Sequence, residues 1–268
     1  MKRTSFLIFL TMVCGGAGAA DPLPLGRAHA HNDYEHTRPL LDALDCGFGS
    51  IEADVHLVDG RLLVAHDAFA VKKERTLQSL YLDPLKERIA KNEGRVYRNG
   101  PTIILLVDVK TAAGPGYTAL HDVLKNYAPM LTVFRDGVST PGAVTVVVSG
   151  SRAPELMNAQ TIRYAGMDGR MGDLAGKADK EQVPLISDNW QSIFTWRWKG
   201  EMPLEEVTKL KTLVTQAHQQ GRLIRFWNTP DTPAAWKILY DAGVDLINTD
   251  QLGGLQAFLL EQGSAAAK

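Results

Sequence analysis

The sequence predicts an α/β chain folded as a (β/α)8 TIM barrel, on three observations. Eight apolar runs of strand length recur along the chain. Most are followed by a stretch with the periodicity of an amphipathic helix. The length of residues 21–268 is close to the ~250 residues typical of such a barrel. A doubly wound open sheet is the rival architecture.

In chain order, the expected strands are Arg27–His31, Ser50–Asp54, Thr102–Asp108, Val144–Ser149, Thr161–Ala165, Pro184–Ser187, Leu223–Trp227 and Val244–Asn248. Helical patterns lie between them at Arg38–Asp45, Asp83–Glu93, Tyr117–Tyr127, Ala153–Ala159, Leu204–Gln220 and Thr232–Ala242, and Leu252–Gln262 closes the chain. Val55–Val58 and Arg61–Ala65 flank Asp59-Gly60, a strong hairpin signal. A hairpin is antiparallel, so this one is an excursion from the top of the second strand and not a ring strand. Gly166–Lys180 carries no clear pattern; Gly166–Gly172 reads as a turn, with an anion cradle around Arg170 as the alternative. The tail from Gly263 is expected to fray.

The chain has 268 residues, 45% hydrophobic and 22% charged, which is ordinary globular composition. A net charge of -1 argues against a nucleic-acid partner, which usually needs a basic surface. Lys2 and Arg3, the apolar run Phe6–Val13 and small residues to Ala20 have the form of a signal peptide over residues 1–20. Residues 21–268 are then a single domain, secreted or periplasmic. Cleavage would remove Cys14 and leave Cys46 as the lone cysteine, expected to be buried.

In a barrel, reactive groups gather where strands end, and here those ends are rich in them. Ala28-His29-Ala30-His31-Asn32-Asp33 puts His29 and His31 on one face of a strand. Ile51-Glu52-Ala53-Asp54-Val55 does the same for two carboxylates, and Asp108-Val109-Lys110 adds a third with a cation. The hairpin delivers Ala65-His66-Asp67. Carboxylates facing a barrel interior need positive charge between them. Lys110 could supply it, or a bound divalent cation, and oxygen ligands favour Mg²⁺ or Ca²⁺ over Zn²⁺. With histidines for proton transfer, this set of parts suits phosphodiester cleavage. His36, His56, His121 and His218 read as structural.

His29-Ala30-His31-Asn32, Ser50-Ile51-Glu52-Ala53-Asp54-Val55 and Val64-Ala65-His66-Asp67 together resemble the N-terminal signature of the phospholipase-C-like phosphodiesterases. These include the glycerophosphodiester phosphodiesterases and the sphingomyelinase D type. Val107-Asp108-Val109-Lys110-Thr111 resembles a strand of the latter group. Phe226-Trp227 and Ala242–Asp250 resemble the last two strands of these enzymes. His31-Asn32-Asp33-Tyr34 with Leu57-Val58-Asp59-Gly60 is most similar to the altered-inheritance-of-mitochondria type branch.

The resemblance implies the same barrel, with Glu52, Asp54 and Asp108 as metal ligands. It implies His29 and His66 as catalytic histidines, His29 preferred to His31 on the His-x-x-Asn match, and Lys110 as a phosphate contact. The sequence departs from the glycerophosphodiesterase signature, which has Arg-Gly after its first histidine; that bears on substrate preference.

The expected substrate is a small-molecule or lipid phosphodiester. His31, Asn32, Trp227 and Trp196 are candidate substrate contacts. Trp190, Trp196 and Trp198 share a loop with Arg197 and Lys199 after the sixth strand, suited either to a lipid–water boundary or to packing on the barrel. Two other classes compete: a zinc amidohydrolase or phosphomonoesterase-like barrel, which needs further histidines at later strand ends, and a barrel that binds a lipid headgroup without turnover.

Overall fold

A computed structural model describes residues 22–176 and 179–266. The leader reading of residues 1–20, Cys14 included, lies outside the described residues. Eight parallel strands form the ring: β1 (Leu25–Ala30), β2 (Phe48–Val58), β3 (Ile103–Val109), β4 (Val144–Gly150), β5 (Ala165–Gly169), β6 (Leu185–Asn189), β7 (Leu223–Trp227) and β8 (Ile247–Thr249). They stand in sequence order, with β1 paired to β8. A parallel bridge from Arg225 to Leu246 joins β7 to the start of β8 and closes the ring.

Helices cover the outside: α1 (Leu41–Asp45), α2 (Asp83–Lys91), α3 (Ala113–Lys125), α4 (Pro154–Asn158), α5 (Trp190–Ile193), α6 (Leu204–Gln219), α7 (Pro233–Asp241) and α8 (Leu252–Ala266). None among the described residues is long and apolar enough to cross a membrane.

The two-residue alternation of a strand divides the core. Ile51, Ala53, Val55, Leu105, Val107, Val146 and Val148 pack outward with the helices. Leu106, Val147, Leu185 and Leu246 form a separate buried cluster, the plug inside the ring. Glu52, Asp54 and Asp108 share the inward phase. They lie toward the strand ends, above the plug.

The hairpin forms as expected. β2 runs to Val58, turns through Asp59 (φ 48°) and Gly60 (φ 74°), and returns over Arg61–Val64 with Val55 opposite Val64. Two consecutive positive φ angles are what a type I′ turn requires.

Four expectations shift. The fifth ring strand is Ala165–Gly169, not Thr161–Ala165. Ile162–Arg163 instead joins a small antiparallel sheet with Val133–Arg135 and Val138–Thr140. The true strand is glycine-rich because its neighbour crowds it. A Cβ on Gly166 would lie 2.5 Å from Pro184, and one on Gly169 2.5 Å from Val183. Helix α3 starts at Ala113, ahead of the expected Tyr117, because Pro115 is tolerated in a first turn. Cys46 is half-buried against the core, and burial pushes its thiol pKa up. The last helix holds to Ala266, past the expected fraying point at Gly263.

Gly166→Ala and Gly169→Ala should each lower unfolding free energy by roughly 1–3 kcal/mol in urea denaturation through overpacking. Gly172→Ala, with no atom within 4 Å of its Cβ, should leave it unchanged.

Candidate active site

The polar floor sits on the apolar plug. His29 is fully buried, with Nδ1 2.7 Å from Ser50 Oγ and Nε2 3.0 Å from Glu52 Oε2. Burial first, and the nearby Arg225 charge second, hold its pKa at about 3, so the ring is neutral. Arg225 donates to Glu52 Oε2 at 2.6 Å and, through Nε, to Asn248 Oδ1 at 2.8 Å. Burial alone would raise the Glu52 pKa. The Arg225 guanidinium and His29 more than offset that and hold the carboxyl well below its usual range.

One side wall carries the other two carboxylates. β2 and β3 pair with Asp54 opposite Asp108. The Lys110 ammonium bridges them, 3.0 Å from Asp54 Oδ2 and 3.2 Å from Asp108 Oδ1. The Tyr34 hydroxyl lies 2.7 Å from Asp54 Oδ2 and 2.7 Å from Asn32 Oδ1. Burial, then the Glu52 charge, push Asp54 up to about 6. Its Oδ1 is buried with no hydrogen-bond partner.

The opposite wall is cationic. Asp168 is fully buried and accepts from Ser149 at 2.7 Å, Ser187 at 2.6 Å and Arg170 Nη1 at 2.8 Å. That holds Arg170 at the rim. Above lie the two remaining histidines. His31 Nδ1 is 2.9 Å from Asp250 Oδ1, which fixes the proton on Nδ1 and leaves Nε2 as the basic nitrogen. Burial works against a charged His31, but Asp250 and Glu52 outweigh it and its pKa is raised. His66 is exposed, beside Asp67, and its carbonyl accepts from His56 Nε2 at 3.2 Å.

These groups enclose a cleft of about 250 Å³ at the C-terminal ends of the strands. His31, His66, Glu52, Asp108, Lys110 and Trp227 line it, together with Ser149, Arg170 and Arg225. Asp54 stands behind Lys110. Asn32, left-handed at φ 48°, turns the chain after β1 and sets its Oδ1 2.7 Å from the Tyr34 hydroxyl.

Two predicted residues sit elsewhere. His29 lies under the cleft with both ring nitrogens engaged, and His31 is the histidine of that strand face that lines the cleft. Trp196 is half-buried in an aromatic stack, its ring 4.9 Å from Trp198, with Trp198 in turn 4.4 Å from the buried Trp190. The loop tryptophans thus pack on the barrel. Sequence reasoning missed Arg225, although it shares a strand face with Trp227 two residues on. It offered Arg170 only as an alternative anion cradle within a turn, because the glycines of β5 hid the strand.

The donor set fits a hard cation. All three candidate ligands are carboxylates, and Asp54 Oδ1 has no donor. Glu52, Asp54, Asp108 and Asp168 are ion-paired to Lys110, Arg170 and Arg225, one cation fewer than the carboxylates. In this arrangement Lys110 and Arg225 hold the carboxylates apart, and among the described residues no three ligating side chains converge on a point. The two-metal zinc alternative lacks histidines: His121 packs against Tyr164 and His218 bonds Asp245, both on outer helices.

Arg225→Ala should cost about 3–5 kcal/mol of stability by leaving Glu52 as an unpaired buried charge, measured by urea denaturation. Arg225→Lys should restore part of it.

A model of the AIM6-like phosphodiesterase domain matches residues 20–168, and one of the glycerophosphoryl diester phosphodiesterase family matches residues 224–253. The altered inheritance of mitochondria protein 6 of Eremothecium gossypii is 30% identical, covering 87% of this chain and 69% of that protein. The homologue from Arthroderma benhamiae is 29% identical, over 88% and 84%. Among solved structures, a glycerophosphodiester phosphodiesterase from Parabacteroides distasonis aligns with a TM-score of 0.53 at 16% identity, covering 91% of this chain and 99% of that one. One described as a putative glycerophosphoryl diester phosphodiesterase, from Agrobacterium tumefaciens, gives 0.51 at 14%, over 92% and 100%. Those two likenesses establish a shared barrel. With its carboxylate, lysine and histidine set at the strand ends and a family model spanning more than half its length, the chain belongs to the AIM6-like phosphodiesterase family.

Proposed function

We propose that this chain hydrolyses phosphodiesters, with glycerophosphodiesters or lysophospholipid headgroups as substrates and a divalent cation as cofactor. One observation carries the reading. Two histidines, one oriented by a carboxylate and one exposed, share a single cleft with three cationic side chains. That combination supplies proton transfer and charge neutralisation at the same phosphorus.

His31 and His66 are the acid–base pair. Asp250 orients His31, so its Nε2 takes or gives the proton, and His66 serves the other oxygen. Lys110, Arg170 and Arg225 neutralise the non-bridging phosphate oxygens, and Trp227 walls the headgroup. Glu52, Asp54 and Asp108 would hold Mg²⁺ or Ca²⁺, which supplies Lewis-acid neutralisation of phosphate charge. The nucleophile is water or a hydroxyl of the substrate, the second giving a cyclic phosphate.

³¹P NMR of the chain with glycerophosphodiesters and lysophospholipids should reveal a monoester or cyclic-phosphate product that disappears with EDTA. His66→Ala and His31→Ala should each cut kcat by roughly 10²–10⁴-fold. A metal-independent product, or full activity in both variants, would break the assignment. Asp250→Asn removes the partner that raises the His31 pKa, so the kcat/KM limb set by His31 should move to lower pH. An unmoved profile would remove His31 from the titrating pair.

A further inference from the structure

The cleft mouth is flanked on two opposite sides by apolar side chains that the fold leaves in water. One group follows His66 directly. Ala68-Phe69-Ala70 is a short exposed turn, and Phe69 is 89% exposed, the highest value among the large hydrophobics described. Exposed Lys72 and Lys73 come directly after Val71. The other group opens α6, where Leu204 is 80% exposed next to exposed Pro203. The first segment rises from β2 and the second follows β6. In a ring of eight strands these stand four places apart, diametrically across the barrel. Both belong to connections from a strand's C-terminal end to the next helix, so both lie on the face that holds the cleft.

Neither segment is loose in a way that would let it fold away. Ala70 N–H bonds the Asp67 carbonyl at 3.0 Å. Glu206 in the first turn of α6 accepts from Thr195 N and Oγ1, at 2.7 and 2.6 Å, and from Trp196 N at 2.8 Å. That pins the tryptophan loop against the helix that presents Leu204.

We propose that this face seats on a phospholipid surface, with Phe69 and Leu204 entering the headgroup layer on either side of the cleft. The inference rests on the phosphodiesterase reading and narrows its substrate to headgroups of aggregated amphiphiles over free glycerophosphodiesters. Phosphates in a lipid surface would then lie at the depth of His66 and Lys110. An apolar tip backed by two lysines suits that boundary, because the rings and alkyl stems sit among acyl chains while the ammonium groups stay among phosphates. Asp67, Glu74, Glu201 and Glu205 are exposed on the same two segments and balance Lys72, Lys73, Arg197 and Lys199. Apolar insertion is therefore the main attraction, with a smaller gain from anionic lipid next to Phe69. The role that the sequence suggested for Trp196 moves to side chains that are exposed.

The test is co-sedimentation with vesicles of mixed phosphatidylcholine and phosphatidylglycerol, comparing wild type with the double variant Phe69→Ser, Leu204→Ser. Circular dichroism checks its folding. The variant should bind at least about tenfold more weakly, as expected for withdrawing two large apolar side chains from lipid. Turnover of a monomeric glycerophosphodiester should be unchanged, while turnover of micellar lysophospholipid falls. Equal vesicle binding by the two proteins, or none by wild type, overturns the proposal. So does loss of a concentration-dependent dimer in the variant with vesicle binding intact, which would give the face to a second copy of the chain. Vesicle binding is read without turnover, so absence of any phosphodiester cleavage would count against the enzymatic reading by itself.

Discussion

The contact between Arg225 and Glu52, 2.6 Å across the inside of the ring, is the constraint on which the rest of the site depends. Glu52 lies on β2 and Arg225 on β7, 173 positions later in the chain. A carboxylate facing the inside of a barrel is tolerated only if a charge or a donor network meets it. Here that partner arrives only when β7 and β8 close against β1. The pair is therefore a check on barrel closure as well as a floor for the cleft. His29 and Asn248 complete it from the two neighbouring strands, β1 and β8, so that four strands contribute to one buried polar group.

The same logic repeats higher in the barrel. Asp168 on β5 is surrounded by Ser149 on β4, Ser187 on β6 and Arg170 at its own strand end. Lys110 spans Asp54 and Asp108 on the far wall. Each cation in the cleft is anchored through one nitrogen to a carboxylate. Anchoring removes rotamer freedom before any ligand arrives, which lowers the entropy lost on binding. The histidines differ in the same sense. The buried one has both nitrogens engaged and is held neutral. The partly open one is polarised by Asp250, and the exposed one stands on the loop after the hairpin. The open histidines thus sit at the mouth and structural charge beneath them.

Much of this was legible in the chain. The hairpin followed from Asp59-Gly60, whose residues alone fix the turn. The carboxylate set followed from the period-2 spacing of Glu52 and Asp54, and the Asp108–Lys110 pair from the same rule. What failed did so for tertiary reasons. The fifth strand was misplaced because Gly166 and Gly169 answer to the side chains of Pro184, Val183 and Ile186, which no local pattern reveals. His29 and His31 share a strand face, and only their depth separates them: one lies below the rim and one at it.

By itself, then, the sequence determined the alternation of strands and helices, the hairpin, and the side chains gathered at the ends of the first three ring strands. These depend on local periodicity and turn stereochemistry, which act over a few residues. Tertiary structure decided which histidine reaches the cleft, that Arg225 and Arg170 join it, and that Trp196 packs while Phe69 stays in water. Those outcomes depend on ring closure and burial, which bring together residues far apart in the chain.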